Sequence, residues 1–165
     1  MVPSVYLASP YGFAESTRGF YYERLIPLIE ERGFSVIDPW SLSRADGIVL
    51  TRLATEYSRK SFSKMRRIHA RIALRNVEAI VRADVVVACL DGPDVDSGTA
   101  SEVGYAVALG KIALGYRGDF RVTGDNWACK ANLQVEEFIR MSGGSVTSSL
   151  AQLKRLLART RARLG

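Results

Sequence analysis

The sequence predicts an α/β fold in which helices cover both faces of a doubly wound, mostly parallel, Rossmann- or flavodoxin-like sheet. Short apolar runs alternate with segments of helical periodicity, which indicates β-α-β units and a parallel sheet. The run from Val85 to Leu90 is continuously apolar, as expected of a strand that is buried on both faces. No linker or internal repeat interrupts the pattern, so residues 1–165 are predicted to form a single domain.

The first part of the chain contains two predicted strands and one long predicted helix. Ser4 to Ala8 is the first strand, and Glu15 to Arg32 is the first helix, because its apolar residues recur near helical spacing and Gly33 follows it. Phe34 to Ile37 is the second strand. The stretch from Ser41 to about Lys60 is the least regular, and a helix and a loop over a ligand site are expected there.

The remainder continues the alternation of helices and strands. A long basic helix from about Phe62 to Arg82 leads into the apolar strand after Asp84. The later predicted elements are a helix from Thr99 to Leu109, a strand from Lys111 to Tyr116, a mobile loop through Gly118-Asp119 and Gly124-Asp125-Asn126, a helix opened by Asn132, and a last helix from Val146 to Leu164.

Composition excludes several classes of protein. At 47% hydrophobic and 24% charged residues, the chain is an ordinary globular domain. It has neither an apolar stretch of the roughly 20 residues needed to span a bilayer nor a signal-like N-terminus, so a cytoplasmic protein without membrane partners is expected. Cys89 and Cys129 are isolated and His69 is the only histidine, so neither a disulfide framework nor a metal site is predicted.

The net charge of +6 raises the question of nucleic-acid binding. No helix-turn-helix, zinc knuckle or aromatic RNA-binding signature accompanies the basic residues, so solvated helix faces are the favoured interpretation and no nucleic-acid partner is predicted. An arginine near the site, for example Arg18, would better serve a small phosphorylated substrate. The basic faces comprise Lys64, Arg66, Arg67, Arg71 and Arg75 on the long helix, and Lys154, Arg155, Arg159, Arg161 and Arg163 near the C-terminus.

Four carboxylates follow the apolar strand within one loop and the first turn of the next helix. They are Asp91, Asp94, Asp96 and Glu102. Because ligands bind at the carboxyl ends of the strands in such sheets, this loop is a candidate site for polar chemistry.

Glu102 allows two interpretations. Thr99 and Glu102 have the spacing of a capping box, in which the glutamate reaches back to the backbone N–H of Thr99. Alternatively, the positive end of the helix dipole keeps the carboxylate ionised, and in a cleft it is a competent nucleophile. Gly98 and Gly104 would then let a substrate ring approach the backbone.

The string from Leu90 to Lys111 resembles the signature of the nucleoside 2-deoxyribosyltransferase family. The likeness extends to Val5–Phe13, to Asn76–Asp84 and to Ala131–Val135, so it covers most of the chain in the family's order. It implies a Rossmann-like transferase that exchanges the base of 2-deoxynucleosides through a covalent deoxyribosyl ester, with no metal or organic cofactor.

The resemblance also implies roles for individual residues. Glu102 would attack C1′, Tyr6 would orient it through the phenolic hydroxyl, and Asp96 would bind the sugar 5′-hydroxyl. Asn132 would reach that hydroxyl from a neighbouring subunit, which implies a homodimer or a larger homo-oligomer with shared sites. Many members have an aspartate where this chain has Asn76, and since an amide is no general acid, Asn76 is expected only to hydrogen-bond the base.

Three further positions after the first two strands are candidates for contacts with the base. Trp40 would stack on a nucleobase or pack in the core. The segment from Ser9 to Phe13 either forms a simple turn or contributes to base binding or a lid, because it follows the first strand and faces the Glu102 loop.

Three functions remain open at this point. The favoured one is the transferase, whose partners are a small-molecule 2-deoxynucleoside and a free nucleobase. The second is a hydrolase of the N-glycosidic bond, resembling the deoxynucleoside 5′-monophosphate hydrolases. The third is a nucleotide-sensing module of the same fold without turnover.

Overall fold

The computed structural model describes residues 1–56, 58–121, 125 and 127–165. Within these residues, five parallel strands form one sheet in the order β2-β1-β3-β4-β5. The strands are β1 Ser4–Ala8, β2 Ser35–Ile37, β3 Val85–Cys89, β4 Ile112–Tyr116 and β5 Val146–Thr147. This order is that of the doubly wound flavodoxin-like sheets, so the predicted fold class is confirmed.

The α-helices are α1 Glu15–Phe20, α2 Ile26–Glu30, α3 Pro39–Leu42, α4 Arg44–Ala54, α5 Arg59–Arg82, α6 Ser97–Ala108, α7 Leu133–Met141 and α8 Leu150–Arg163. A 3-10 turn, Pro10–Gly12, follows β1. No helix among the described residues is long and apolar enough to cross a membrane.

Both faces of the sheet are covered by apolar packing. Alternate residues of β1, β3 and β4 point to opposite faces, which produces two separate cores. One face packs on α5, α6 and α7 through Ile80, Val103 and Ile139. The other face packs on the segment Tyr21–Ile29 and on α8 through Leu153 and Leu157. The central strand β3 is buried throughout, which accounts for its unbroken apolar sequence.

Two predicted helices need correction. The helix predicted from Glu15 to Arg32 contains a π-helical turn, Tyr21–Leu25, before Pro27. Proline lacks the N–H that an α-helix uses, which favours an irregular turn just before it. The segment predicted as one helix from Val146 to Leu164 instead begins with the edge strand β5, and α8 starts at Leu150 after the Ser149 cap.

In the segment predicted to be least regular, the buried Asp46 forms ion pairs with two partly exposed arginines. Asp46 of α4 is 5% exposed and accepts hydrogen bonds from Arg71 and Arg75 of α5. Arg75 also donates to the backbone oxygen of Leu42, at 3.5 Å. These contacts therefore attach α3 and α4 to the long helix α5.

Candidate active site

The candidate site lies where β1 and β3 end side by side in the middle of the sheet. The chain leaves β1 toward one edge of the sheet and leaves β3 toward the other, so the two strands flank a topological switch point. Crevices at such points are the usual ligand sites of doubly wound sheets. Ser9 follows β1, and the carboxylate-rich loop follows β3.

Three side chains from three different elements meet at Glu102 of α6. The Tyr6 hydroxyl of β1 donates to Glu102 Oε1 at 2.6 Å, and Asn76 Nδ2 of α5 donates to the same oxygen at 3.4 Å. Within the described part of the chain, no group donates to the other oxygen, Oε2. One carboxylate oxygen is therefore fixed and the second is left for another partner.

The surroundings of Glu102 shift its pKa upward. Burial is the main cause and the charge of Asp96 adds to it, while the hydrogen bonds from Tyr6 and Asn76 act in the opposite direction; together they place the pKa of Glu102 at about 6. Burial and the charge of Glu102 also raise the pKa of Tyr6 well above its ordinary value. Tyr6 therefore remains protonated and continues to donate to Glu102.

Asp96, and not Thr99, caps the helix that carries Glu102. Asp96 Oδ2 accepts from the backbone N–H of Thr99 at 2.9 Å and from the Thr99 hydroxyl at 3.2 Å. The capping-box interpretation of Thr99 and Glu102 is therefore wrong, because the helix begins two residues earlier and Asp96 already occupies the Thr99 N–H. Glu102 is left to face Tyr6 and Asn76.

The second oxygen of Asp96 is not used by the cap. Both hydrogen bonds from Thr99 go to Oδ2, and none from the described residues reaches Oδ1. Gly98 lies beside this carboxylate, where an added Cβ would be 3.1 Å from Asp96 Oδ2. Asp96 can thus cap α6 and still accept a hydrogen bond from a bound molecule.

Asn132 is also a helix cap. Its Oδ1 accepts from the backbone N–H groups of Gln134 at 3.0 Å and of Val135 at 3.3 Å, which confirms that it opens a helix. Its predicted contact with the site of a neighbouring subunit stays a prediction.

The three predicted base-contact residues lie together on the β1–β2 side. Trp40 Nε1 donates to the backbone oxygen of Ser9 at 3.1 Å, and its ring packs so closely on Gly12 that an added Cβ there would be 2.2 Å from a ring carbon. Phe13 meets Trp40 edge-on, with ring centroids 4.5 Å apart. Phe13 is 71% exposed, so an aromatic surface faces solvent there.

Two buried or partly buried polar residues that follow strands β2 and β4 were not predicted from the sequence. Asp38 caps α3 and accepts from the Tyr21 hydroxyl at 2.8 Å. Its position before Pro39 is a recognisable helix-start signal. Arg117, directly after β4, is 2% exposed and donates to the loop after β3, and no sequence pattern distinguishes it from a surface arginine. Gly124 and Asn126 of the predicted mobile loop lie outside the described residues.

No cluster of metal-binding side chains occurs within the described ranges. His69 is exposed on α5, as expected of a helix-surface residue. Around Glu102, the described residues form a partly buried carboxylate with a tyrosine hydroxyl donor at one of its oxygens.

Comparison with known proteins identifies the family. The sequence profile described as nucleoside 2-deoxyribosyltransferase matches residues 5–142. The chain belongs to the nucleoside 2-deoxyribosyltransferase family. It is therefore an enzyme, and the resemblance carried by its motifs is confirmed.

Solved structures agree with this membership. The 2-desoxiribosyltransferase of Leishmania mexicana is 23% identical with a TM-score of 0.64, and the alignment covers 97% of each chain. The 2-deoxyribosyltransferase of Bacillus psychrosaccharolyticus is 19% identical with a TM-score of 0.65, over 96% of this chain and 95% of the other. A conserved protein from Enterococcus faecalis V583 is 25% identical with a TM-score of 0.67, over 97% and 99%. No curated protein matches the chain.

Proposed function

We propose that this nucleoside 2-deoxyribosyltransferase family member exchanges the base of 2-deoxynucleosides, with Glu102 as the nucleophile. The observation that carries the proposal is the state of the Glu102 carboxylate, which is partly buried, has a pKa of about 6 and is held at Oε1 by the side chains of Tyr6 and Asn76. No backbone N–H of α6 within the described chain occupies it. Such a carboxylate is ionised at neutral pH and retains a free oxygen for attack.

In the first step, Glu102 Oε2 forms a bond to C1′ while the bond from C1′ to the base nitrogen breaks. The bonding electrons leave with the base, which gains a proton. C1′ gains oxocarbenium character in the transition state, and the carboxylate stabilises that positive charge before trapping it as an ester. A deoxyribosyl centre lacks the electron-withdrawing 2′-hydroxyl, so positive charge develops on it more readily.

In the second step, a ring nitrogen of another base attacks C1′ and the ester bond to Oε2 breaks. The incoming base loses its N–H proton to water, and Glu102 is released as a carboxylate. Two displacements with inversion give net retention at C1′. Transfer exceeds hydrolysis only where the closed site keeps water from the ester.

The proton for the leaving base does not come from residue 76. Asn76 donates through Nδ2 to Glu102 Oε1, and an amide has no proton to give at neutral pH. We assign Asn76 a role in holding Glu102 and in hydrogen-bonding the base, and protonation to water or to a group on the substrate.

The other predicted residues complete a nucleoside pocket in this proposal. Asp96 Oδ1 accepts from the 5′-hydroxyl of the sugar, and Gly98 leaves room beside it. Ser9, Phe13 and Trp40 form the wall against which the base lies. Asn132 of a second subunit closes the sugar side, so the active unit is a homodimer or a larger homo-oligomer.

Base exchange tests the proposal directly. Incubation with deoxyinosine and adenine, followed by chromatography, should yield deoxyadenosine and hypoxanthine, with product formation dependent on both substrates. Glu102→Gln should abolish the exchange, whereas Glu137→Gln, at a half-exposed glutamate of α7, should not. Free deoxyribose released without dependence on adenine would indicate the hydrolase instead. Tight nucleotide binding without any base release would indicate the sensing module.

Subunit mixing tests the shared pocket. Asn132→Ala and Glu102→Ala proteins, each of low activity, should recover activity when mixed, because a mixed dimer contains one intact site. No recovery in verified mixed oligomers would place the whole pocket within one chain.

A further inference from the structure

One buried arginine connects two loops at the carboxyl edge of the sheet. Arg117 follows β4 and is 2% exposed. Its guanidinium donates to the backbone oxygen of Leu90, at 3.0 Å to that of Gly92, and at 3.3 Å to that of Arg121 in its own loop. The carbonyls of Leu90 and Gly92 bracket Asp91, so a single side chain fixes the first turn of the loop that leads to Asp96.

Asp91 adds two more connections to the same turn. Its Oδ2 accepts from the Tyr11 hydroxyl at 2.5 Å, and its Oδ1 accepts from the backbone N–H of Asp119 at 2.9 Å. The segments after β1, β3 and β4 are thus joined at one carboxylate. We call Arg117 and Asp91, with these partners, the interloop clamp.

The chain between the clamp and Asp96 is short and stiff. Gly92 has a φ of 122°, a conformation that L side chains rarely adopt. Pro93 has a restricted φ, and Val95 is 9% exposed and packs in the core. A displacement of the Leu90–Gly92 turn would therefore be transmitted to Asp96.

Glu102 is less dependent on the clamp. Val103 and Ala106, on the same helix, are fully buried in the core against the sheet. Tyr6, which holds Glu102 Oε1, lies in β1 and is equally buried. Loosening of the loop should therefore move the Asp96 side chain more than the Glu102 carboxylate.

We propose that Arg117 is a positioning residue that acts through the interloop clamp to place Asp96 Oδ1 for the sugar 5′-hydroxyl. Burial removes the hydration of the Arg117 guanidinium, so its N–H groups need acceptors within the protein. Backbone carbonyls of the loops are such acceptors. The proposal rests on the proposed transferase function for its substrate, while its structural part concerns the loop alone.

The kinetic test compares 2′-deoxyinosine with 2′,5′-dideoxyinosine, which lacks the 5′-hydroxyl. Wild-type protein should prefer the hydroxylated substrate in kcat/KM. Arg117→Lys keeps the charge but loses the planar guanidinium that reaches both Leu90 and Gly92, so this preference should fall about tenfold, mainly through KM. The acid limb of the pH profile, set by Glu102, should stay in place. Arg140→Lys, at an exposed arginine of α7, is the control and should retain the preference.

Hydrogen exchange of the ligand-free protein tests the structural part independently of activity. Amides of residues 90–96 should lose protection in Arg117→Lys and, as a second variant, in Tyr11→Phe, which removes only the hydroxyl bound to Asp91. Amides of residues 103–108 should keep their protection. Unchanged hydrogen exchange in residues 90–96 would overturn the proposal, as would an unchanged substrate preference in an active, folded variant. A wild-type protein that does not transfer bases would overturn the transferase function. The hydrogen-exchange data would still decide whether the interloop clamp holds the loop.

Discussion

Glu102 and the three aspartates before it occupy one short stretch of chain, yet the protein uses them differently. Asp91 accepts from a tyrosine hydroxyl and a backbone N–H, and Asp94 accepts from the backbone N–H of Val95 at 2.7 Å. Asp96 caps α6 with one oxygen. Among the described residues, Glu102 is held only by side chains, through a single oxygen, and its pKa is raised to about 6.

The difference shows how a carboxylate oxygen is kept available to react with a substrate. Asp91 and Asp94 accept backbone N–H groups and thereby hold the conformation of the loops around them. No backbone N–H in the described part of the chain donates to Glu102, because Asp96 caps the helix first. Asp96 is intermediate, since none of the described groups donates to its second oxygen. Substitutions at these carboxylates and at Tyr6 should separate their roles, and the expected effects decrease from Glu102 to Asp96.

Removal of the Glu102 carboxylate should have the largest effect. Glu102→Gln keeps the shape and the bond from Tyr6 but cannot form the ester, so base exchange should fall by at least about 10⁴-fold. Steady-state exchange rates measure this, with Asp94→Asn as the matched control in the same loop, expected within about twofold of wild type. Comparable losses in both variants would contradict the distinction between the two carboxylates.

Removal of the Tyr6 hydroxyl should have the next largest effect. Tyr6→Phe deletes the 2.6 Å bond to Glu102 Oε1, and a hydrogen bond to a charged group contributes about 1.5–3 kcal/mol, so kcat should fall roughly 10- to 100-fold. Because that bond lowers the pKa of Glu102, its loss should move the acid limb of the rate profile from about pH 6 to higher pH. An acid limb that moves to lower pH would show that Tyr6 does not stabilise the ionised form.

The raised pKa of Glu102 should also appear in stability. The folded protein binds the Glu102 proton more tightly than the unfolded chain does, so the contribution of Glu102 to stability should fall as the pH rises from about 4.5 to about 6 and level off above that. The difference between the two pKa values corresponds to about 2 kcal/mol. Glu102→Gln should therefore be more stable than wild type by about 2 kcal/mol at pH 8, with no gain below about pH 4.5. Denaturant titrations at both pH values measure this, and an equal gain at both would contradict the assignment.

Among the effects on stability and on the acid limb, those at Asp96 should be the smallest, and they separate its cap from its charge. Asp96→Ala loses the cap of α6 and should destabilise the protein by about 1 kcal/mol, whereas Asp96→Asn keeps a capping oxygen and should change stability by a few tenths. Both variants remove a negative charge that raises the pKa of Glu102, so the acid limb should move to lower pH. Thermal unfolding and pH profiles measure the two roles, and a fixed acid limb would contradict the coupling of Asp96 to Glu102.

Much of the fold follows from the sequence because its signals are local. The apolar run Val85–Leu90 marks the central strand, and Asn132 marks the start of α7. The edge strand β5 was missed because it has only two residues, and its pairing with β4 depends on residues distant in sequence. The π-helical turn before Pro27 shows that a proline can disturb a helix without ending it.

The site could be predicted only in part. Glu102, Tyr6 and Asn76 were recognised through motifs, and the structure brings them within hydrogen-bond distance. Spacing alone could not decide between a capping box and a free carboxylate, because that depends on whether Asp96 or Thr99 caps the helix. Buried groups such as Arg117 carry no sequence signal, since their burial results from the meeting of loops that follow different strands.

The most direct test of the account is the mass of the Glu102 peptide after brief incubation with a 2-deoxynucleoside and no acceptor base. Acid quenching, proteolysis and mass spectrometry should find one deoxyribosyl group on the peptide that contains Glu102, and addition of adenine before quenching should remove it. Base exchange that proceeds with this peptide unmodified, or with the sugar on another residue, would contradict the assignment of Glu102 as the nucleophile.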